Sequence, residues 1–204
     1  MSDNSIIQIS DEQAKLISAG GSYLADILGD LPKDLVGILG DQVKVYRAKR
    51  LAALWDKAKY YLSENGCTTP ELPGLNLVIP ILEAAADENR EELQDLWARL
   101  LAATMQPDRL KLVRRRFIEA LKKLDPLDAK VMLYLRDDEN KIPFSASQGT
   151  IFAQTNAIAS ALTVNTDEVK VSIENIIKSG FAFNTSTNKA VLTPFGCEFM
   201  RTIC

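Results

Sequence analysis

Apolar residues recur every three or four positions along most of the chain, and Gly and Pro cut that rhythm into separate helices. Residues 1–12 lack the rhythm and read as a disordered or loosely docked tail. EQAKLISAGGSYLADILGDLPKDLVGILGD then carries it in two short pieces, Leu24, Ile27 and Leu28, followed by Leu35, Val36 and Leu39, with Asp30 capping the second before Pro32. Asp41 caps a long helix that Gly66 ends. Val43, Leu51, Leu54, Trp55, Ala58, Tyr61 and Leu62 share its buried face, and Arg47 projects into it. An unpaired buried guanidinium is costly, so Arg47 must either snorkel to water or meet a carboxylate, with Asp87, Glu91 and Asp95 as candidate partners.

A proline-rich connector, TTPELPGLNLVIP, leads into a short helix from Leu75 to Ala86 and a second that Asp87 caps and Pro107 stops. Leu93, Leu96, Trp97, Leu100 and Leu101 form the buried face of the second. DRLKLVRRRFIEALKKL then reads as one more helix, with Leu110, Val113, Phe117, Leu121 and Leu124 inward.

Asp125-Pro126 opens a helix with Val131, Met132 and Leu135 inward. After the loop DDENKIPFSASQG come a short helical stretch at Ile151 to Gln154, a helix bearing Ile158, Ala159 and Leu162, a tight turn at TVNT, and a helix from Thr166 to Lys178 that buries Val169, Ile173 and Ile176. Gly180 ends it, and FAFNTSTNKAVLTP supplies two strands around a polar turn. This is the order of a helix-turn-helix followed by a wing. A two-stranded hairpin is marginal alone, so the closing run, with Phe195, Phe199 and Ile203 on one face, reads as its lid. The expected fold is mainly α, an N-terminal helical bundle over residues 13–124 followed by a C-terminal winged helix-turn-helix with a small β-hairpin over residues 125–204.

Charge changes what this fold is expected to do. At a net charge of −3 the chain has no global attraction for nucleic acid, so any such affinity must come from a local patch. The strongest patch is the basic helix: Lys111, Arg115 and Lys122 on one flank, Arg109, Arg116 and Lys123 on the other. It reads as a surface for phosphate or an acidic partner, or as a solvated face balanced by DENREE. A DNA-reading helix presents outward cations and amides. Here the outward residues are Asp167, Lys170, Glu174 and Lys178, with Asn175 beside them, and Asp167 and Glu168 stand at the end that approaches bases. The wing adds only Lys189. Protein contact or self-association is the expectation, through Lys111, Arg115, Arg116, Lys122, Lys123, Lys170, Glu174 and Lys178. Nucleic acid is disfavoured.

The sequence contains no histidine, which removes Ser-His and Cys-His dyads and every His-ligated metal site. Cys67, Cys197 and Cys204 are too scattered for a structural zinc and read as reduced, packed thiols, the last two on one helix face. Asp87, Glu88, Glu91, Glu92 and Asp95 cluster at a helix start, where capping and the helix dipole account for them. No phosphate-loop, dinucleotide or nucleophile-elbow string occurs. The chain is expected to be no enzyme and to need no cofactor, metal or small-molecule substrate. It has no run of about 18 uncharged apolar residues, and its first residues are polar and acidic, so the cytoplasm is the expected compartment. Action at a membrane surface through Leu24 to Leu39 is disfavoured, because basic residues are scarce there.

The succession LVIPILEAAADENREELQDLWARLLAATMQPD, FIEALKKLDPLDAKVMLYL and VLTPFGCEFMRTIC resembles the bacterial abortive-infection alpha family, over residues 40–204. The family's blocks correspond to Pro80–Ala86, Leu93–Ala102, Phe117–Leu133 and Leu192–Cys204, and Asp125 stands where Ser or Thr is commoner. The resemblance implies resistance to bacteriophage, in which an infected cell halts or dies before phage matures. It brings no catalytic residue set. The expected function is therefore a non-enzymatic antiphage protein acting through protein contacts, with a DNA-binding winged-helix regulator and a membrane-active effector as alternatives.

Overall fold

The computed structural model describes residues 41–67, 70–71, 73–136, 151–185 and 189–204. The expected tail, the two N-terminal helices and the loop after Arg136 lie outside them. The described chain is mainly helical: α1 (Asp41–Glu64), α2 (Leu75–Ala86), α3 (Glu91–Thr104), α4 (Pro107–Leu110), α5 (Arg115–Leu121), α6 (Pro126–Arg136), α7 (Ile151–Leu162), α8 (Thr166–Lys178), strands β1 (Ala182–Asn184) and β2 (Ala190–Leu192), and α9 (Pro194–Ile203). No described helix is long and apolar enough to cross a membrane.

Helix α3 is the centre. Leu93, Gln94, Leu96, Trp97, Ala98 and the run Leu100–Thr104 are all buried, and a helix buried on nearly every side must be surrounded. It packs against α1, α2, α6 and α9, with Ala98, Ala102 and Ala103 allowing close approach. Buried apolar residues from Leu51 to Ile203 join in one core around it.

Two helices end as glycine dictates. Gly66 (φ 64°) and Gly180 (φ 84°) adopt the left-handed conformation. The next amides, of Cys67 and Phe181, reach back to the carbonyls of Leu62 and Ile176 at 3.0 and 2.9 Å, a Schellman closure in each case. Helix α7 ends the same way on Thr163 (φ 55°), the only described residue other than glycine with positive φ, and the amide of Val164 reaches the Ala159 carbonyl at 3.0 Å.

Three boundaries differ from expectation. Asp87 does not cap α3; it is the C-cap of α2. Glu88 instead takes the backbone N–H of Arg90 at 2.9 Å, holding Arg90 extended as the N-cap of α3. The basic segment is not one helix: a turn at Lys111–Arg114 separates α4 from α5, and Arg114 is extended (φ −120°, ψ 140°). On a continuous helix Leu112 would lie about 200° around the axis from Leu110, facing water, and the break half-buries it. The stretches around Gln154 and Ile158 are one unbroken helix, α7, because no Gly or Pro separates them.

The hairpin pairs Ala182 with Leu192, Phe183 with Val191 and Asn184 with Ala190, antiparallel. Ala182 and Ala190 are buried, whereas Phe183 and Val191 face solvent. Gln154 of α7 covers the open side of β2, donating to the Ala190 carbonyl at 2.9 Å and accepting from its amide at 2.8 Å.

Helix α9 does cover the hairpin, but it also packs on α3 and α6. Thr193 caps it, accepting from the Gly196 amide at 2.9 Å, and Pro194 fills its first turn. Phe199 and Ile203 are buried and Phe195 half-buried. Phe117, Phe181, Phe195 and Phe199 form an aromatic cluster with ring centroids 4.9–5.3 Å apart. Of the three thiols expected to be packed, Cys67 and Cys204 lie against the core and Cys197 does not. Cys197 is exposed and Cys67 and Cys204 half-buried, the Cys204 amide still bonding the Met200 carbonyl at 3.0 Å as the C-cap of α9.

Candidate interaction surfaces

Helix α8 is oriented before it is exposed. Its start is a reciprocal cap: the Asn165 side chain accepts from the Asp167 amide at 2.8 Å, and Glu168 accepts from the Asn165 amide at 3.2 Å. The carboxylate at Glu168 therefore serves the helix itself. Val169, Ile173 and Ile176 bury one side.

The adjacent flank is fixed by Asp128 of α6, which is 2% exposed. Asp128 accepts from the Ser172 hydroxyl at 2.6 Å, the Asn175 amide, and the backbone N–H of Asp125 at 2.7 Å. All three donors are neutral, and they satisfy a carboxylate whose burial would otherwise be prohibitive. Asn175 also donates to the Lys123 carbonyl at 3.0 Å. Asn175 thus turns inward to clamp α8 onto α6 and the end of α5. Sequence reasoning did not single out Asp128; its signal was a carboxylate three residues after Asp125 at a helix start.

Besides Glu168 at its capped start, what α8 leaves to solvent is one stripe: Asp167, Lys170, Val171, Glu174 and Lys178. Lys170 lies 2.7 Å from Asp167 and Lys178 lies 3.9 Å from Glu174, so the stripe is electrically balanced. Val171, at 67%, is the most exposed large apolar residue among those described. Lys170, Glu174 and Lys178 therefore share one surface.

The basic residues behave differently. Lys111 caps α4, Arg115 and Arg116 open α5, and Lys122 and Lys123 follow its end; all five are exposed. Because the helix is broken, Lys111 does not continue the α5 face. The Arg116 guanidinium lies 5.1 Å over the Phe195 ring. Lys122 is 3.2 Å from Glu119 and borders an open cleft of about 320 Å³ beside Asp87, Glu88 and Arg90, so the acidic loop lies next to it. Arg90 is itself engaged by two carboxylates, forked onto Glu88 at 2.8 and 3.0 Å and bonded to Asp125 at 2.7 Å. Burial opposes ionisation of Glu88, yet the side-chain and backbone bonds from Arg90 hold its carboxyl below the usual range. Lys111, Arg115 and Lys123 have no ion pair among the described residues.

Arg114 carries a contact that sequence reasoning missed: its guanidinium grips Glu198 of α9 at 2.7 and 2.6 Å, and that bond holds the Glu198 carboxyl low. Of the three carboxylates proposed for Arg47, Asp87 is the partner, with both contacts at 2.6 Å. Glu91 pairs with Lys57, and Asp95 takes the Tyr61 hydroxyl and, at 2.9 Å, Arg99. Glu92 pairs with Lys130 of α6 at 2.9 Å, so the acidic cluster is engaged by cations and a phenol from α1, α3, α6 and the α2–α3 loop.

Residues 44–191 match the family model described as abortive infection alpha. The chain belongs to that family. Membership points to a role in abortive infection. The matched stretch runs from α1 through Val191 of β2, so it includes the Asp128 clamp and the exposed stripe of α8, and it stops before the closing block Leu192–Cys204. No curated protein and no solved structure matches the chain.

Proposed function

We propose that this abortive infection alpha protein acts by contact rather than turnover, and that α6, α7, α8 and the β1–β2 hairpin form a winged helix-turn-helix whose outward helix meets protein. The order of elements supports the winged reading: a helix, then α7, the Thr163–Asn165 turn and α8, then an antiparallel ribbon.

The observation that carries the contact reading is the α8 stripe. Its cations are matched one for one by carboxylates, and beside them stands the exposed apolar Val171. Phosphate backbones select for surplus positive charge, and this face has none. An exposed valine with charged residues on the same helix face suits a protein surface, with an apolar patch and a polar rim. The absence of histidine and the prior engagement of the acidic cluster support action without turnover.

Phage challenge of cells expressing the full chain tests this. Val171→Asp is expected to lower protection strongly while the purified variant keeps its helical signal and unfolding midpoint. Wild-type-like protection by Val171→Asp would remove α8 as the working face. A gel shift showing tight, site-selective DNA retention lost in Lys170→Glu would instead make the module a DNA reader.

A further inference from the structure

With Glu168 set about 100° round the helix and turned to its cap, the exposed stripe of α8 reads acid, base, apolar, acid, base: Asp167, Lys170, Val171, Glu174, Lys178. Reversed, its charges change sign at every position. A second α8 laid parallel and in register would place each charge against its like. Laid antiparallel, it would place Lys170 opposite Glu174 of the second copy and Asp167 opposite Lys178 of the second copy. The midpoints of the two pairs differ by half a residue, about 0.8 Å at helical rise, so a single two-fold axis at the height of Ser172 serves both.

From this self-complementarity we infer that the partner of the α8 face is a second copy of this chain, packed antiparallel along α8 about a two-fold axis. The inference rests on the reading that this face makes protein contacts. The two Val171 side chains lie within about 4 Å of each other along the axis in that arrangement, and each covers the other from water. The pairs within one copy, Lys170 with Asp167 at 2.7 Å and Lys178 with Glu174 at 3.9 Å, are exposed neighbours on one helix and hold little. Exchanging them for pairs between copies loses little, and burial of Val171 supplies the drive. The Asp128 clamp holds Ser172 and Asn175 inward, so the stripe is already in place before a partner arrives. One helix face is a small interface, and its dimer is weak, concentration-dependent and salt-sensitive.

Sedimentation velocity of the full chain over a concentration series, at low and moderate salt, tests this. The expected result is a dimer fraction that rises with concentration and falls with salt. Lys170→Glu sets two acids against each other across the axis and is expected to weaken dimerisation about tenfold. The double variant Lys170→Glu with Glu174→Lys restores opposite charges across the axis and is expected to recover most of that loss. Val171→Asp is expected to be monomeric, with unfolding midpoint unchanged. A monomer at every concentration, a dimer indifferent to the single variants, or a double variant no better than Lys170→Glu overturns the inference. If Val171→Asp abolishes protection in a chain that is always monomeric, protein contact stands and the second copy falls.

Discussion

A Cβ added at Gly196 would lie 2.0 Å from the carbonyl oxygen of Phe181. The two backbones touch because Thr193 draws them together, its amide donating to the Phe181 carbonyl at 2.9 Å and its hydroxyl to the Gly180 carbonyl at 2.7 Å. The obstacle is main chain, so it cannot rotate aside. Gly196→Ala is expected to destabilise the chain by about 3 kcal/mol, seen as a lower urea midpoint. An unchanged midpoint would show that α9 does not sit down on the α8–β1 connection as described.

Asp128 supports a second prediction. Asp128→Ala leaves the Ser172 hydroxyl, the Asn175 amide and the Asp125 N–H without their acceptor, and such a loss costs about 2–4 kcal/mol. Asp128→Asn keeps the shape but turns one acceptor into a donor facing donors, and should cost less than the alanine. Thermal unfolding of both variants would order them; equal stability of wild type and Asp128→Ala would contradict the clamp.

Tyr61 gives a prediction in pH. Burial, aided by its bond to Asp95, pushes the phenol up to about 12. The folded value lies above the unfolded value of about 10, so the stability it contributes is fully present below the unfolded value and is lost as pH rises through the folded one. The stability gap between wild type and Tyr61→Phe should therefore be constant through neutral pH and shrink above about pH 10. Denaturant titrations at a series of alkaline pH values would show it.

Thr163 is a β-branched residue at φ 55°, where side chains of its kind are strained. Thr163→Gly relieves that strain at the turn into α8 and is expected to raise stability by up to about 1 kcal/mol, net of glycine's greater freedom when unfolded. A lower melting temperature for this variant would locate the main effect in the unfolded chain.

Much of this was legible from spacing alone. Leu51, Leu54, Ala58, Leu93, Leu96, Trp97, Val169, Ile173 and Ile176 are buried where helical periodicity put them, because a face that must leave water repeats every three to four residues whatever it packs against. The break at Lys111–Arg114 was less visible, since the stripe Leu110, Val113, Phe117 is compatible with one helix. Only Leu112, apolar and off the stripe, signalled otherwise. The hidden contacts are those between residues distant in sequence. Arg114 and Glu198 are 84 positions apart, and Asp128 and Ser172 are 44 apart. Nothing local marks which carboxylate will meet which donor, so Arg47 admitted three partners until packing selected Asp87. The outward character of Lys170, Glu174 and Lys178 was readable from the helix pattern, whereas Asn175, adjacent in sequence to that stripe, points to the buried acid instead.

The Gln154 amide both gives to and takes from Ala190, as a residue of an adjoining strand would do. At that position β2 behaves as an interior strand although the described residues give the sheet only two. A foreign extended chain cannot zip along that side of the ribbon without first evicting a glutamine, so a very small sheet gains protection against fibrillar stacking from one side chain. The same two bonds tie the ribbon to α7.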